Sequence, residues 1–252
     1  MILVSAAPIG HASAYAARRM AAVRFPGESE EYRAAREALL QAEVELRRQT
    51  ERVAAQRRAL PPGGLAGDYV FEQGLIDSDE VKPVHLHELF DDAHDTLMLY
   101  SFMYGPSAEH ACPLCTSFID AIDGELEHIG RQISFAVVAR APIERLRAHA
   151  RERGWRRARL LSSSQNSFNS DYHSESADGS QQPMAHVFTR GADGIRHFYS
   201  TEMLYAATEP GEHPRHVDSM WPLWNVLDLT PNGRGEGFLP ALRYPDAARA
   251  LR

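Results

Sequence analysis

The chain has 252 residues, of which 44% are hydrophobic and 24% are charged, a composition typical of globular proteins and unlike that of fibrous or disordered chains. Its formal net charge of -7 argues against general binding of polyanions, so the sequence predicts no nucleic-acid partner. The sequence has no run of about eighteen apolar residues, so it also predicts no membrane-spanning helix and a soluble protein.

Residues 1–28 are predicted to form a loosely attached N-terminal arm. No acidic residue precedes Glu28, and several arginines and alanines give the segment a weak similarity to a transit peptide. A secretory signal is not indicated, because residues 1–10 contain no basic residue and are interrupted by Pro8. We therefore expect a cytoplasmic protein.

Residues 29–64 are predicted to be a long amphipathic helix with its terminating turn. The stretch 29–60 contains no Gly or Pro, and a Pro-Pro-Gly-Gly sequence follows it. Apolar side chains recur every seven residues along the helix: Tyr32, Leu39, Leu46, Val53 and Leu60. This apolar stripe needs a partner, either the rest of the same chain or a second copy in a homodimer, and the sequence leaves both open.

Residues 65–237 are predicted to form an α/β domain, followed by a tail over 238–252. Four segments have the apolar or alternating pattern of strands: 96–104, 133–139, 184–189 and 195–200. Apolar residues at helical spacing predict helices over 118–129 and 143–153. Strand and helix alternate in the first half, which favours a parallel crossover, and a Gly-containing hairpin connects the last two strands.

The only two cysteines lie three residues apart, in the sequence Ala111-Cys112-Pro113-Leu114-Cys115, at the predicted start of a helix. A cysteine at this position is near unpaired backbone amides and the positive end of the helix dipole, which stabilise a thiolate. Pro113 suits the first helical position, where its missing amide hydrogen costs nothing. We therefore predict that Cys112 is a catalytic nucleophile and that Cys115 resolves the mixed disulfide.

Other interpretations of these residues stay open. The cysteines could be two small apolar residues in a binding or interaction protein without redox turnover. They could also ligate a metal together with His110, although no second C-x-x-C motif completes a tetrahedral site. Peroxidase chemistry is disfavoured, because peroxiredoxins have Thr or Ser three residues before the cysteine, where this chain has Glu109. His85 and His87 share a face as an H-x-H pair and are interpreted as surface residues.

The order of strand, C-P-L-C, helix, strand, helix and hairpin resembles the thioredoxin superfamily. Several separated motifs resemble, more narrowly, an uncharacterised bacterial thioredoxin-like family with a long leading helix: Phe102-Met103-Tyr104-Gly105-Pro106, His197-Phe198-Tyr199-Ser200-Thr201 and Leu227-Asp228-Leu229-Thr230-Pro231. The resemblance covers about 29–237. It implies a thioredoxin-like fold and a thiol-disulfide oxidoreductase that needs no metal or organic cofactor. The implied partners are a disulfide-bearing protein or small thiol substrate and an electron donor.

The resemblance also implies a cis proline against the cysteine pair, and Pro183, just ahead of the strand 184–189, matches its place. In the family this proline presents its backbone to the substrate. The order C-P-x-C is closer to that of glutaredoxin than to thioredoxin, and the buried acid of thioredoxin has no counterpart in the strand 96–104. The candidate modulators of the thiols are therefore Pro113, Glu109 and His110.

A polar cluster forms the candidate substrate pocket beside the sulfurs: Asn166, Phe168, Asn169, Asp171 and Tyr172. Asn and Asp side chains supply the oriented donors and acceptors that such a pocket requires. The alternative is that these residues serve the structure of turns.

Overall fold

The computed structural model describes residues 23–210, 215–216 and 218–245. It divides the chain into two units, Met1–Ala59 and Leu60–Arg252. The parts of the predicted N-terminal arm and C-terminal tail over 1–22 and 246–252 lie outside the described residues. Among the helices that are described, none combines the length and the apolar character that a membrane-spanning segment needs.

The first unit contains the predicted long helix, α1 (Glu30–Arg58). Ser29 caps its N-terminus, because the hydroxyl oxygen accepts a hydrogen bond from the amide of Tyr32 at 3.1 Å. The acidic residues of its first turn and the arginines of its last turn suit the helix dipole. No residue of the helix is buried, and Leu39 and Leu46 of the apolar stripe are exposed. The partner of this stripe therefore stays a prediction.

The second unit carries a mixed sheet with helices packed against it. In chain order its strands are β1 (Val70–Gly74), β2 (Val81–His85), β3 (Thr96–Ser101), β4 (Ser134–Ala139), β5 (Leu160–Ser162), β6 (Met184–Gly191) and β7 (Gly194–Ser200). Its helices are α2 (Pro113–Ile122), α3 (Leu126–Ile129), α4 (Ile143–Arg153), α5 (Phe168–Asp171) and α6 (Pro222–Leu227). Short 3₁₀ turns cover Leu86–Leu89, Met203–Tyr205 and Asp218–Met220.

The strand order in the described sheet is β2-β1-β5-β4-β3-β6-β7. The central strands β3 and β4 are parallel, with α2 and α3 between them in the chain, and Leu99 is paired with Ala136. Strand β6 is antiparallel to β3 and forms the predicted hairpin with β7. A parallel β-α-β unit followed by an antiparallel hairpin is the arrangement expected of a thioredoxin-like fold, so the predicted fold class is confirmed.

Alternating side chains divide the core into two layers, one on each face of the sheet. In the first layer, Tyr100 of β3 packs with Phe118 of α2 and with both cysteines. In the second layer, Leu99 of β3 packs with Phe168 and Phe71. The face of the sheet that carries α2 is thus the face that carries the cysteine pair.

The C-terminal end of α2 is held by the carboxylate of Asp123, which is only 8% exposed. It accepts hydrogen bonds from three consecutive amides, those of Arg156, Arg157 and Ala158, at 2.9, 3.0 and 3.0 Å. These bonds join the end of α2 to the segment that enters β5. The single helix predicted over 118–129 is divided here into α2 and α3, with Gly124, a residue of low helix propensity, next to Asp123.

Replacing Asp123 with Ala should leave three amides without their acceptor. We expect the free energy of unfolding, measured by urea denaturation, to fall by about 3 kcal/mol. The Asp123→Asn variant should lose less, because its remaining carbonyl oxygen can still accept two of the bonds. Exposed Asp92 is the control, and Asp92→Ala should change the stability by less than about 0.5 kcal/mol. Equal stability of Asp123→Ala and the wild type would contradict this account.

Candidate functional site

Cys112 occupies the N-cap position of α2, and Pro113 is the first helical residue, as the motif predicts. The amide of Cys112 donates a hydrogen bond to the carbonyl of Met103 at 3.0 Å, which ties it to the chain that leaves β3. The carbonyl of Cys112 accepts two bonds from Thr116, one from its amide and one from its hydroxyl, each at 2.9 Å. Its backbone is therefore fixed on both sides.

The two thiols differ in their exposure to solvent. Cys112 is half-buried, whereas Cys115, one turn further into α2, is only 2% exposed. Both are free thiols in this structure. The first sulfur is thus the one that a substrate can reach.

The pKa of Cys112 is lowered to about 6. The largest cause is the hydrogen bond that the Cys115 thiol donates to it. Burial acts in the opposite direction, and the backbone amides of Cys115 and Leu114 add to the lowering. These amides belong to the first helical turn, where no carbonyl of the helix is available to accept from them. At neutral pH Cys112 is mostly a thiolate, which is the reactive form of a cysteine.

The environment of Cys115 shifts its pKa in the opposite direction. Burial raises its pKa well above the usual range, and its hydrogen bond to Cys112 and the negative charge there act in the same direction. A side-chain hydrogen bond with Tyr100 and a bond with the backbone of Met103 oppose this rise. The tyrosine is itself buried, and burial raises its own pKa, so its hydroxyl stays protonated and serves as a donor.

Strand β3 has no buried acid, but its Tyr100, which the sequence pattern did not single out, lies beside Cys115. The ring of Tyr100 packs against Phe118 with centroids 4.6 Å apart, which directs its hydroxyl end toward the cysteine side of the sheet. The available signal was a single aromatic residue with a polar end, directly after the apolar residues Leu97, Met98 and Leu99 of the strand. Because Tyr100 and Phe102 alternate with Leu99, both belong to the first layer.

A second buried polar contact supports the start of α2. Nε2 of His149, on α4, lies 3.0 Å from the hydroxyl oxygen of Thr116. Burial lowers the pKa of His149, so its ring is neutral near pH 7. Since the Thr116 hydroxyl gives its hydrogen to the carbonyl of Cys112, the histidine ring must be the donor in this contact. Neither residue carries a sequence signal that would have revealed the pairing.

Glu109 and His110 lie in the loop before Cys112 and are 89% and 72% exposed. Nε2 of His110 lies 3.6 Å from Oε1 of Glu109. They border a cleft of about 540 Å³ that extends to Ala111 and is also lined by Arg145 of α4. Two of the three predicted modulators, Glu109 and His110, are thus exposed in the loop before Cys112, and their influence on the thiols stays a prediction.

Pro183 precedes β6 at the end of the sheet where Cys112 lies. Ser101 at the end of β3 is paired with Met184, so Pro183 is beside the chain that leads from β3 to the Met103 carbonyl. No peptide bond of the described residues is cis. The cis proline implied by the resemblance is therefore not observed, and Pro183 takes the intrinsically favoured trans form. Its contact with a substrate stays a prediction.

The predicted pocket residues do not lie beside the sulfurs. Phe168 is fully buried in the second layer, on the face of the sheet opposite the cysteines. The polar members bond to neighbouring turns and strands: Asn166 to the carbonyl of Val70 at 2.7 Å, Asn169 to the hydroxyl of Ser163 at 2.6 Å, and Asp171 to the hydroxyl of Tyr69 at 2.8 Å. These contacts match the alternative interpretation, in which the cluster serves the turns.

A metal site at the sulfurs is not supported within the part of the chain that the structure describes. His110 does not bring a ring nitrogen within ligand distance of both thiols. The side chains whose ligand atoms do come together lie elsewhere, before β1 and at the end of β2: Asp68, His85 and His87.

The comparisons with known proteins give a family match and remote structural similarity. A family model described as "Bacterial protein of unknown function (DUF899)" matches residues 23–248. The reduced 2-Cys peroxiredoxin of Plasmodium vivax shares 16% identity with this chain, covering 66% of it and 96% of that protein, with a TM-score of 0.44. A hypothetical protein from Sinorhizobium meliloti 1021 shares 17% identity over 73% of this chain and 92% of that one, with a TM-score of 0.38. The curated proteins include no match to this chain.

Alkylation of Cys112 in the reduced protein should become faster as the pH rises through a midpoint near 6, because only the thiolate reacts. The rate with iodoacetamide, followed by mass spectrometry at a series of pH values, measures this midpoint. The Cys115→Ala variant lacks the main hydrogen-bond donor, so its midpoint should move toward the ordinary thiol value of about 8.5. The Cys115→Ser variant keeps a donor and should move less. A wild-type midpoint near that ordinary value would contradict the lowered pKa of Cys112.

Proposed function

The chain belongs to the DUF899 family of bacterial proteins, whose function is unknown, and from its dithiol we propose that it is a thiol-disulfide oxidoreductase. The observation that carries this proposal is the asymmetry of the pair. Cys112 is accessible, with a pKa of about 6, and Cys115 is buried with a raised pKa. Disulfide exchange needs one thiolate that can attack and a second thiol that is protected until the mixed disulfide has formed.

The proposed reaction has two displacement steps. In the first, the Cys112 thiolate attacks one sulfur of a substrate disulfide, and the other substrate sulfur leaves as a thiolate. In the second, Cys115 loses its proton and attacks the Cys112 sulfur, so that the remaining substrate sulfur leaves. The substrate gains two electrons, and the protein is left with a Cys112–Cys115 disulfide. A thiol reductant must then return this disulfide to the dithiol.

We propose that Tyr100 is a positioning residue for the second step. Cys115 must become a thiolate in a buried position, where burial raises its pKa. The hydrogen bond from the Tyr100 hydroxyl stabilises that thiolate, with a smaller contribution from the backbone of Met103. The tyrosine cannot take the proton itself, because burial raises its pKa and its hydroxyl is therefore already protonated. The proton acceptor is then the departing substrate thiolate.

The partners in this proposal are a disulfide-bearing protein or a small disulfide, together with an electron donor of the thiol class. Approach to Cys112 is across the cleft bordered by Glu109, His110 and Arg145. We also propose that the backbone at Pro183, just before β6, contacts the bound substrate. A reducing compartment such as the cytoplasm suits a pair that works from the dithiol state.

Redox titration in glutathione or dithiothreitol buffers tests the proposal directly. Alkylation and intact mass should reveal a reversible Cys112–Cys115 disulfide with a potential between about -270 and -120 mV. A Cys115→Ser variant should accumulate mixed disulfides, because the resolving thiol is missing, and the matched Cys112→Ser variant should accumulate none. If no buffer produces the intramolecular disulfide, the proposal is wrong, and an interaction protein without redox turnover becomes the better hypothesis.

Tyr100→Phe should slow the second step about tenfold, since the lost hydrogen bond contributes about 1.4 kcal/mol. Quenched single-turnover reactions with a small disulfide separate formation of the mixed disulfide from its resolution. The first step should keep its rate, and the pH at which resolution is half-maximal should rise. Tyr205→Phe is the control, because that hydroxyl bonds to the carbonyl of His173 and lies away from the cysteines. An equal loss in both steps would indicate a merely structural role for Tyr100.

A further inference from the structure

Two histidines at the edge of the sheet are turned outward by a buried leucine. His85 is the last residue of β2, His87 lies in the following 3₁₀ turn, and Leu86 between them is 1% exposed in the second layer. Because Leu86 points into the core, its two neighbours point to solvent. The centroids of the two imidazole rings are 5.4 Å apart. The H-x-H spacing therefore produces neighbouring rings on one surface.

Asp68 reaches the same surface through strand pairing. The amide of Leu86 donates to the carbonyl of Tyr69 at 2.8 Å, which continues the antiparallel pairing of Val70 with His85. One step further along this register, Asp68 is opposite His87. Its carboxylate oxygens lie 3.0 Å from Nδ1 of His85 and 4.0 Å from Nδ1 of His87.

We propose that Asp68, His85 and His87 form a binding site for a divalent transition-metal ion of the zinc class, separate from the dithiol. Their ligand atoms all lie within 4.8 Å of one another. Ligands in a tetrahedral zinc site are about 2.1 Å from the ion, hence about 3.4 Å from each other. Small side-chain rotations, which exposed residues make easily, can bring the ligand atoms from their present separations to this shorter distance.

The kinds of ligand atom at the site determine which metal ions it favours. Two imidazole nitrogens and one carboxylate suit Zn²⁺, Ni²⁺ or Cu²⁺, whereas Mg²⁺ and Ca²⁺ prefer oxygen ligands alone. The ion replaces the hydrogen shared by His85 and Asp68, and water fills its fourth position. Glu88 accepts a hydrogen bond from the His85 amide at 2.7 Å, which holds the backbone of the turn in place. A metal here links the segment before β1 to the end of the edge strand β2.

Calorimetric titration with Zn²⁺ tests this site. The untagged full chain carrying Cys112→Ser and Cys115→Ser removes thiolate ligation, and this parent should bind one ion at the site and gain thermal stability from it. Adding His87→Asn or Asp68→Asn should weaken binding by about tenfold or more and abolish the rise in Tm. His128→Asn, at an exposed position on α3, is the matched control and should bind as the parent does.

The three side chains substituted in addition to the cysteines, Asp68, His87 and His128, are all exposed, so these variants should fold as the parent does. Circular dichroism checks the folding of the parent and of each variant. Co²⁺ in place of Zn²⁺ provides a visible spectrum that reports its coordination geometry. Absence of Zn²⁺ binding by the parent would overturn the proposal. Unchanged affinity in both the His87→Asn and the Asp68→Asn variants would overturn it as well.

Discussion

The lowered pKa of Cys112 depends most on one hydrogen bond, which the thiol of Cys115 donates to its sulfur. The bond separates the two cysteines electrostatically, since it lowers the pKa of the acceptor and raises that of the donor. Burial strengthens the contrast, because the buried sulfur cannot ionise easily while the half-buried one receives backbone amides. Two identical side chains thereby acquire different acidities through their positions in the first turn of a helix.

The rest of the domain keeps that turn in position. The Met103 carbonyl and the Tyr100 hydroxyl both belong to β3 or the chain that leaves it, so the central strand contacts both cysteines. The buried contact of His149 with Thr116 links the start of α2 to α4, and Asp123 fixes the other end of the helix. The helix that carries the pair is therefore restrained at both ends.

Local patterns predicted much of this arrangement. Apolar runs and helical spacing identified β3, β4, β6 and α4, and the first-turn chemistry of C-P-L-C predicted the position of Cys112 correctly. Contacts that depend on distant parts of the chain were not predictable: Tyr100 with Cys115, and Asp68 with the histidine pair. The polar cluster around Phe168 shows the same difficulty, because its sequence does not reveal which face of the sheet it covers. The N-terminal helix was predicted with nearly the observed bounds, since its signal is entirely local.

The unequal ionisation of the pair has a consequence for proton stoichiometry. At neutral pH the reduced pair carries one proton, on Cys115, and one negative charge, on Cys112. In the proposed redox cycle, reduction of the Cys112–Cys115 disulfide then takes up two electrons with a single proton, and the midpoint potential falls by about 30 mV per pH unit instead of about 59. Below the pKa of Cys112 a second proton joins and the steeper dependence returns. In the proposed redox cycle, the potential of this pair therefore depends less on pH near neutrality than that of an ordinary dithiol.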